Sequence, residues 1–171
     1  RKLIIVRPGV VFGQNEGGNF TRLYSAMRKG QFFYPGRKDT KKAAIYVKDL
    51  VRLMIEMAEK EKPGIHLYNT VYTPMHTIQE ICETMARVTG VKEPKLKIPA
   101  GILTFAAYSI NSFGKIIGKT LDGIHPDRVK KLMISTNING QKLLDHGYKL
   151  EFSLEEAIVD WFKDCNKDGL Y

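Results

Sequence analysis

At 171 residues and 43% hydrophobic content, the chain is long enough for one domain with a sizeable core, and disordered and collagen-like classes are excluded. A formal net charge of +9 raises nucleic-acid binding, but the Lys and Arg residues are spread along the chain and accompany no recognisable nucleic-acid module. Two denser groups, Arg37, Lys38, Lys41 and Lys42, then Arg128, Lys130 and Lys131, suit a small anionic ligand on an otherwise solvated basic surface.

The chain opens on Leu3-Ile4-Ile5-Val6-Arg7-Pro8-Gly9-Val10-Val11-Phe12-Gly13, an apolar β-branched run that breaks into Arg-Pro-Gly. This pattern predicts a strand buried on both faces, as in the middle of a parallel sheet, delivering a tight loop. A strand of that kind needs neighbours, so the expectation is a cut N-terminus inside a larger fold.

A helix is predicted from about Phe20 to Lys29, with Phe20, Leu23, Tyr24 and Met27 on one face and Gly30 as its stop. Gln31 to Tyr34 reads as a short aromatic strand turned by Pro35-Gly36, and the basic stretch from Arg37 to Lys42 follows as a loop. Ala43 to Tyr46 is extended and feeds a helix whose expected buried face is Val47, Leu50, Val51, Met54, Ile55 and Ala58. Asp49 stands at its start, near the positive end of the helix dipole.

Ile65 to Asn69 reads as another strand. Thr77-Ile78-Gln79-Glu80 is a capping-box pattern in front of an apolar stripe at Ile78, Ile81, Cys82, Met85 and Val88, with Gly90 as the stop. Lys95 to Ile98 suits a strand. The longest apolar stretch, Pro99 to Gly118, is interrupted by Tyr108, Ser109, Asn111, Ser112 and Lys115, so it reads as a helix covering a core or interface rather than a membrane span. A short helix from His125 through Leu132, an extended Ile134 to Thr136 and a short helix from Asn139 to His146 follow. Ser153-Leu154-Glu155-Glu156 repeats the capping box and opens a last helix with Leu154, Ala157, Ile158, Trp161 and Phe162 on one face.

This alternation of strands and helices argues an α/β fold. Cys82 and Cys165 fit no metal or CxxC spacing, the four histidines show no ligand spacing and read as structural, and no signal or lipidation motif is present. The expectation is a cytoplasmic protein that binds neither membrane nor nucleic acid.

The phrases Arg7-Pro8-Gly9-Val10-Val11-Phe12-Gly13, Tyr34-Pro35-Gly36-Arg37, Ile45-Tyr46-Val47-Lys48-Asp49-Leu50-Val51, Tyr68-Asn69 and the run from Ile138 to Ile158 carry a resemblance through their order and spacing. Together they resemble the C-terminal half of an extended short-chain dehydrogenase/reductase, the NAD-dependent family typified by nucleotide-sugar epimerases. The resemblance implies that residues 1–171 hold the end of a Rossmann-type parallel sheet interleaved with a mostly helical substrate-binding lobe. It also implies that the glycine turn for the cofactor pyrophosphate and the catalytic Tyr-x-x-x-Lys pair lie in an N-terminal half outside this sequence. Tyr34-Pro35-Gly36-Arg37-Lys38 matches that pair by letters alone, because Pro-Gly breaks the helix that the geometry requires.

By the same resemblance, Pro8, Val10 and Val11 contact the nicotinamide end of NAD or NADP, and Arg37, Lys42 and Arg128 hold the diphosphate of a nucleotide sugar. The parent protein is then expected to be an epimerase, dehydratase or reductase, the chain by itself inactive, and its exposed faces to drive homo-oligomer formation. Val10 departs from the family, where many nucleotide-sugar enzymes carry Asn. An apolar residue there also suits a ketone or aldehyde reductase, and a non-catalytic ligand-sensing module is a third reading.

Overall fold

The computed structural model describes residues 1–99, 101–102 and 133–171. The expected helix 125–132, with Arg128 in it, and most of the apolar stretch 99–118 lie outside the described residues.

The opening run forms β1 (Lys2–Pro8), paired in parallel with β6 (Gly64–Thr70) from Lys2 opposite Gly64 to Pro8 opposite Thr70. The strand is not buried on both faces. Ile4 and Val6 pack inward, while Leu3 and Ile5 are 52% and 37% exposed. Side chains alternate across a strand, so the described residues cover one face of β1 and leave the other open.

Past Gly9 the chain continues as β2 (Val10–Phe12), parallel to β5 (Ala44–Tyr46). Between them lie α1 (Asn19–Arg28), β3 (Tyr34–Pro35) and β4 (Lys41–Lys42). Phe20, Tyr24 and Met27 of α1 are buried, as their spacing predicts. β3 pairs in parallel with β8 (Lys97–Ile98), and β4 pairs antiparallel with β7 (His76–Thr77).

Helix α2 (Val47–Lys60) carries the main surprise. Asp49, Leu53 and Met57 are buried, whereas Val51, Met54, Ile55 and Ala58 of the predicted inner stripe face outward. The helix is apolar on two sides, and periodicity picks out the wider, outer one. The true inner face is narrower and is broken by a carboxylate.

Both capping boxes form. Thr77 and Glu80 exchange their bonds at the start of α3 (Ile78–Thr89), and Ser153 and Glu156 do so at α5 (Leu154–Asp164). Gly90 closes α3 in the left-handed region at φ 75°, which glycine adopts without steric cost. The short α4 (Gln141–Asp145) lies between them in sequence, and 134–136 is irregular rather than a strand.

Two cores result. One joins β2, α1, α3 and α5 around Phe12, which stacks on Phe20 at 4.4 Å and meets Tyr46 and Trp161 at 5.4 and 6.0 Å. The other packs Ile45, Leu53, Met57, Tyr68, Leu143 and Tyr148 behind β1 and β6. Among the described residues no helix is long and apolar enough to cross a membrane.

Candidate functional site

The carboxyl ends of β1 and β6 end together, with Pro8 opposite Thr70. In open α/β sheets, ligands bind in the crevice outside these ends. The loop leaving β1 is tied down at once: the Gly9 N–H donates to the Thr70 carbonyl at 3.2 Å and the Val10 N–H to the Ala43 carbonyl at 2.9 Å. A Cβ at Gly9 would lie 2.7 Å from the Ala43 carbonyl carbon and oxygen, so only glycine permits this approach. Pro8 is exposed at the strand end; Val10 and Val11 are half-buried in β2, their side chains turned to the two cores.

That close approach places the Pro8–Val10 loop beside Ala43, the residue after Lys42. Lys42 is held from three directions. Its strand pairs with β7, with Lys42 opposite His76. Its ammonium donates to the Ile134 carbonyl at 3.1 Å, and its neighbour Lys41 donates its N–H to the Ser135 hydroxyl and accepts from the Thr136 N–H. Partial burial lowers the Lys42 pKa.

The loop before β4 is clamped by the start of α3. The Ile78 and Gln79 N–H groups donate to the Thr40 and Lys38 carbonyls at 2.8 and 3.1 Å. The Thr77 and Glu80 N–H groups are used by the capping box, at 2.7 and 3.1 Å. The helix start therefore brackets the basic loop and has no free amide left to cradle an anion.

Arg37 stands apart. It is exposed and forked onto Asp39, with Nε 2.8 Å from Oδ1, and this guanidinium holds the Asp39 carboxyl down at about 2. The structure thus joins Pro8, Val10 and Lys42 in one region, commits Arg37 to a neighbour on the preceding loop, and says nothing of Arg128. Tyr34 is buried in a strand, with Lys38 Nζ 4.9 Å from its ring centre, and burial pushes its hydroxyl pKa up. The Tyr34–Lys38 string has no helical turn.

Sequence reasoning missed Thr70 and His76. Thr70 is fully buried at the strand end, and its hydroxyl has no partner among the described residues. His76 is 29% exposed at its side chain, with Nδ1 3.7 Å from Glu80 and its ring edge-on to Tyr72 at 5.0 Å. Its place directly before the capping box was visible, but its pairing with Lys42 across a two-residue ladder was not.

No protein-family model matches the chain. It is 25% identical over 158 residues to the N-acetyl-alpha-D-glucosaminyl-diphospho-ditrans,octacis-undecaprenol 4-epimerase of Escherichia coli O157:H7, a match over 92% of this chain and 47% of that protein. The crystal structure of the human epimerase family protein SDR39U1 with NADPH superposes at a TM-score of 0.68, with 18% identity, over 94% of this chain and 48% of the other. The chain has the fold of the epimerase-type short-chain dehydrogenase/reductases. The UDP-N-acetylglucosamine 4-epimerase of Bacillus cereus shares that epimerase-type fold at a TM-score of 0.62 and 17% identity, over 95% of this chain and 48% of its own. The chain spans about half the length of the curated relative it matches.

Proposed function

We propose that the chain is the C-terminal, substrate-binding part of an NAD(P)-dependent epimerase or dehydratase that acts on a nucleotide sugar. The observation that carries this reading is the placement of Lys42 beside the Pro8–Val10 loop at the carboxyl ends of β1 and β6. A partly buried ammonium is attracted to phosphate oxygens more strongly than a fully solvated one, because fewer waters screen it. Lys42 is the principal contact to the diphosphate, and Arg128 and Arg37 are further cations for it. Arg37 would first exchange its Asp39 partner.

The cofactor, NAD or NADP, supplies hydride transfer when bound. This chain meets only its nicotinamide end, through the backbone of Pro8, Val10 and Val11, since its sequence has no glycine turn for the pyrophosphate. Val10, apolar where many nucleotide-sugar enzymes carry Asn, leaves a second reading: a reductase of the same family that acts on a ketone or aldehyde.

The outward Leu3, Ile5, Val51, Met54 and Ile55 support association between copies of the chain. Cys82 and Cys165 are free thiols, which supports a cytoplasmic setting.

Titration with UDP-glucose and with NADH tests the proposal. We expect sugar-nucleotide binding that Lys42→Met weakens about tenfold, the loss of one charge-assisted contact. Equal affinity in the two proteins contradicts the role of Lys42. Tight stoichiometric NADH binding contradicts a pyrophosphate site outside this chain.

A further inference from the structure

Lys42 and His76 are direct register partners on the antiparallel β4–β7 ladder. Residues opposite one another on such a ladder project to the same face, with Cβ atoms about 4.5–5.5 Å apart. Lys42 and His76 therefore leave the ribbon on one face, from a strand whose next residue, Ala43, accepts from the Val10 N–H beside the crevice at the ends of β1 and β6.

The surroundings of His76 leave one nitrogen uncommitted. Nδ1 faces Glu80 of α3 at 3.7 Å, and the Tyr72 ring packs edge-on against the imidazole at 5.0 Å. Nε2 has no hydrogen-bond partner among the described residues. Among the described residues, Glu80 from α3 and Tyr72 from the segment before β7 face the ring, and Lys42 is its register partner on β4. Burial lowers the pKa of His76, and Glu80 opposes this.

We infer that His76 is a second contact of the diphosphate site, donating from Nε2 to a phosphate oxygen alongside Lys42. An arriving anion adds a second negative charge to that of Glu80, on the Nε2 side of the ring. The ring then holds a proton more tightly when the ligand is bound, making substrate affinity pH-dependent. This inference rests on the Lys42 site proposed above. It makes His76 a specificity residue for phosphorylated over uncharged substrates.

The test follows the histidine ring protons of the full chain by NMR over pH 5–9, with and without saturating UDP-glucose, whose diphosphate diester does not itself titrate in this range. His76→Asn identifies the His76 resonance. We expect UDP-glucose to raise the proton affinity of His76 about tenfold, one unit of pKa, and to leave His66 and His146 unmoved. We also expect His76→Asn to weaken binding several-fold at pH 6 and to leave it nearly unchanged at pH 8.5.

An unmoved His76, in a protein whose UDP-glucose binding still falls in Lys42→Met, overturns the His76 inference and leaves the site standing. Absence of any Lys42-dependent binding overturns the site itself and the inference with it.

Discussion

Asp49 receives the backbone N–H groups of both Glu151 and Phe152, at 2.8 and 3.2 Å, and is fully buried. Through this carboxylate the first turn of α2 holds the segment that leads into α5, while Arg52 reaches the same group at 3.4 Å and Glu151 at 3.2 Å. Because α2 follows β5 directly, the contact also fixes the strand that pairs with β2 below the Pro8–Val10 loop.

Replacing Asp49 by alanine strands two part-buried amide donors and takes one of its carboxylate partners from Arg52. Each lost buried partner costs about 1–3 kcal/mol, so Asp49→Ala is expected to destabilise the fold by about 3 kcal/mol, measured by urea denaturation. A loss under about 0.5 kcal/mol, the range of ordinary surface substitutions, contradicts the role given to this contact.

Gly9→Ala tests the close approach that joins the loop to the Lys42 strand. The new methyl meets backbone atoms of Ala43 and Ala44 at 2.7–2.9 Å, and backbone cannot swing aside as a side chain can. Overpacking of this kind costs about 1–3 kcal/mol. Thermal unfolding is expected to show a clear drop in midpoint, and an unchanged midpoint argues against the packing described.

The acid limb of stability is expected to report Glu61. Its carboxylate accepts from the hydroxyls of Tyr68 and Tyr148 and pairs with His66 Nδ1 at 3.0 Å. The Tyr68 bond first, then Tyr148 and His66, hold its pKa below the ordinary 4.5. A group with a lowered folded-state pKa stabilises fully above its unfolded value and loses that contribution as pH falls through the folded one. Stability of the wild type should therefore fall below pH 4.5, and Glu61→Gln should flatten that slope. Parallel acid curves for the two proteins contradict this assignment.

The two thiols should differ in reactivity. Burial pushes the Cys82 pKa up to about 12, while Cys165 is only half-buried. Alkylation of the native chain is expected at Cys165 alone, with Cys82 modified only on unfolding. Rapid labelling of Cys82 in the folded protein contradicts its place in the core.

The elements most legible in the sequence were those with local chemistry. Thr77-x-x-Glu80 and Ser153-x-x-Glu156 announce their helices because the capping bonds lie within one turn. Gly30 and Gly90 mark stops because positive φ is a local demand. What stayed hidden depends on contacts far along the chain. The inner face of α2 is decided by β1, β5 and the 150–152 segment, none of which periodicity can see. Likewise the two-residue ladder of β4 and β7 is too short to leave an alternation, so the Lys42–His76 pairing emerges only in three dimensions. The structure brings Pro8, Val10 and the Lys42 strand together beside one crevice, while the resemblance gave no sign that Asp39 occupies Arg37.

The central claim, that a nucleotide sugar sits beside Lys42 at the carboxyl ends of β1 and β6, is tested most directly by mapping backbone amide shifts of the labelled chain during UDP-glucose titration. The account predicts perturbations concentrated on Gly9, Val10, Lys41 to Ala43, Thr70 and His76. Perturbations confined to the outer groove of α2, lined by Val47, Val51 and Ile55, or none at saturating ligand, contradict it.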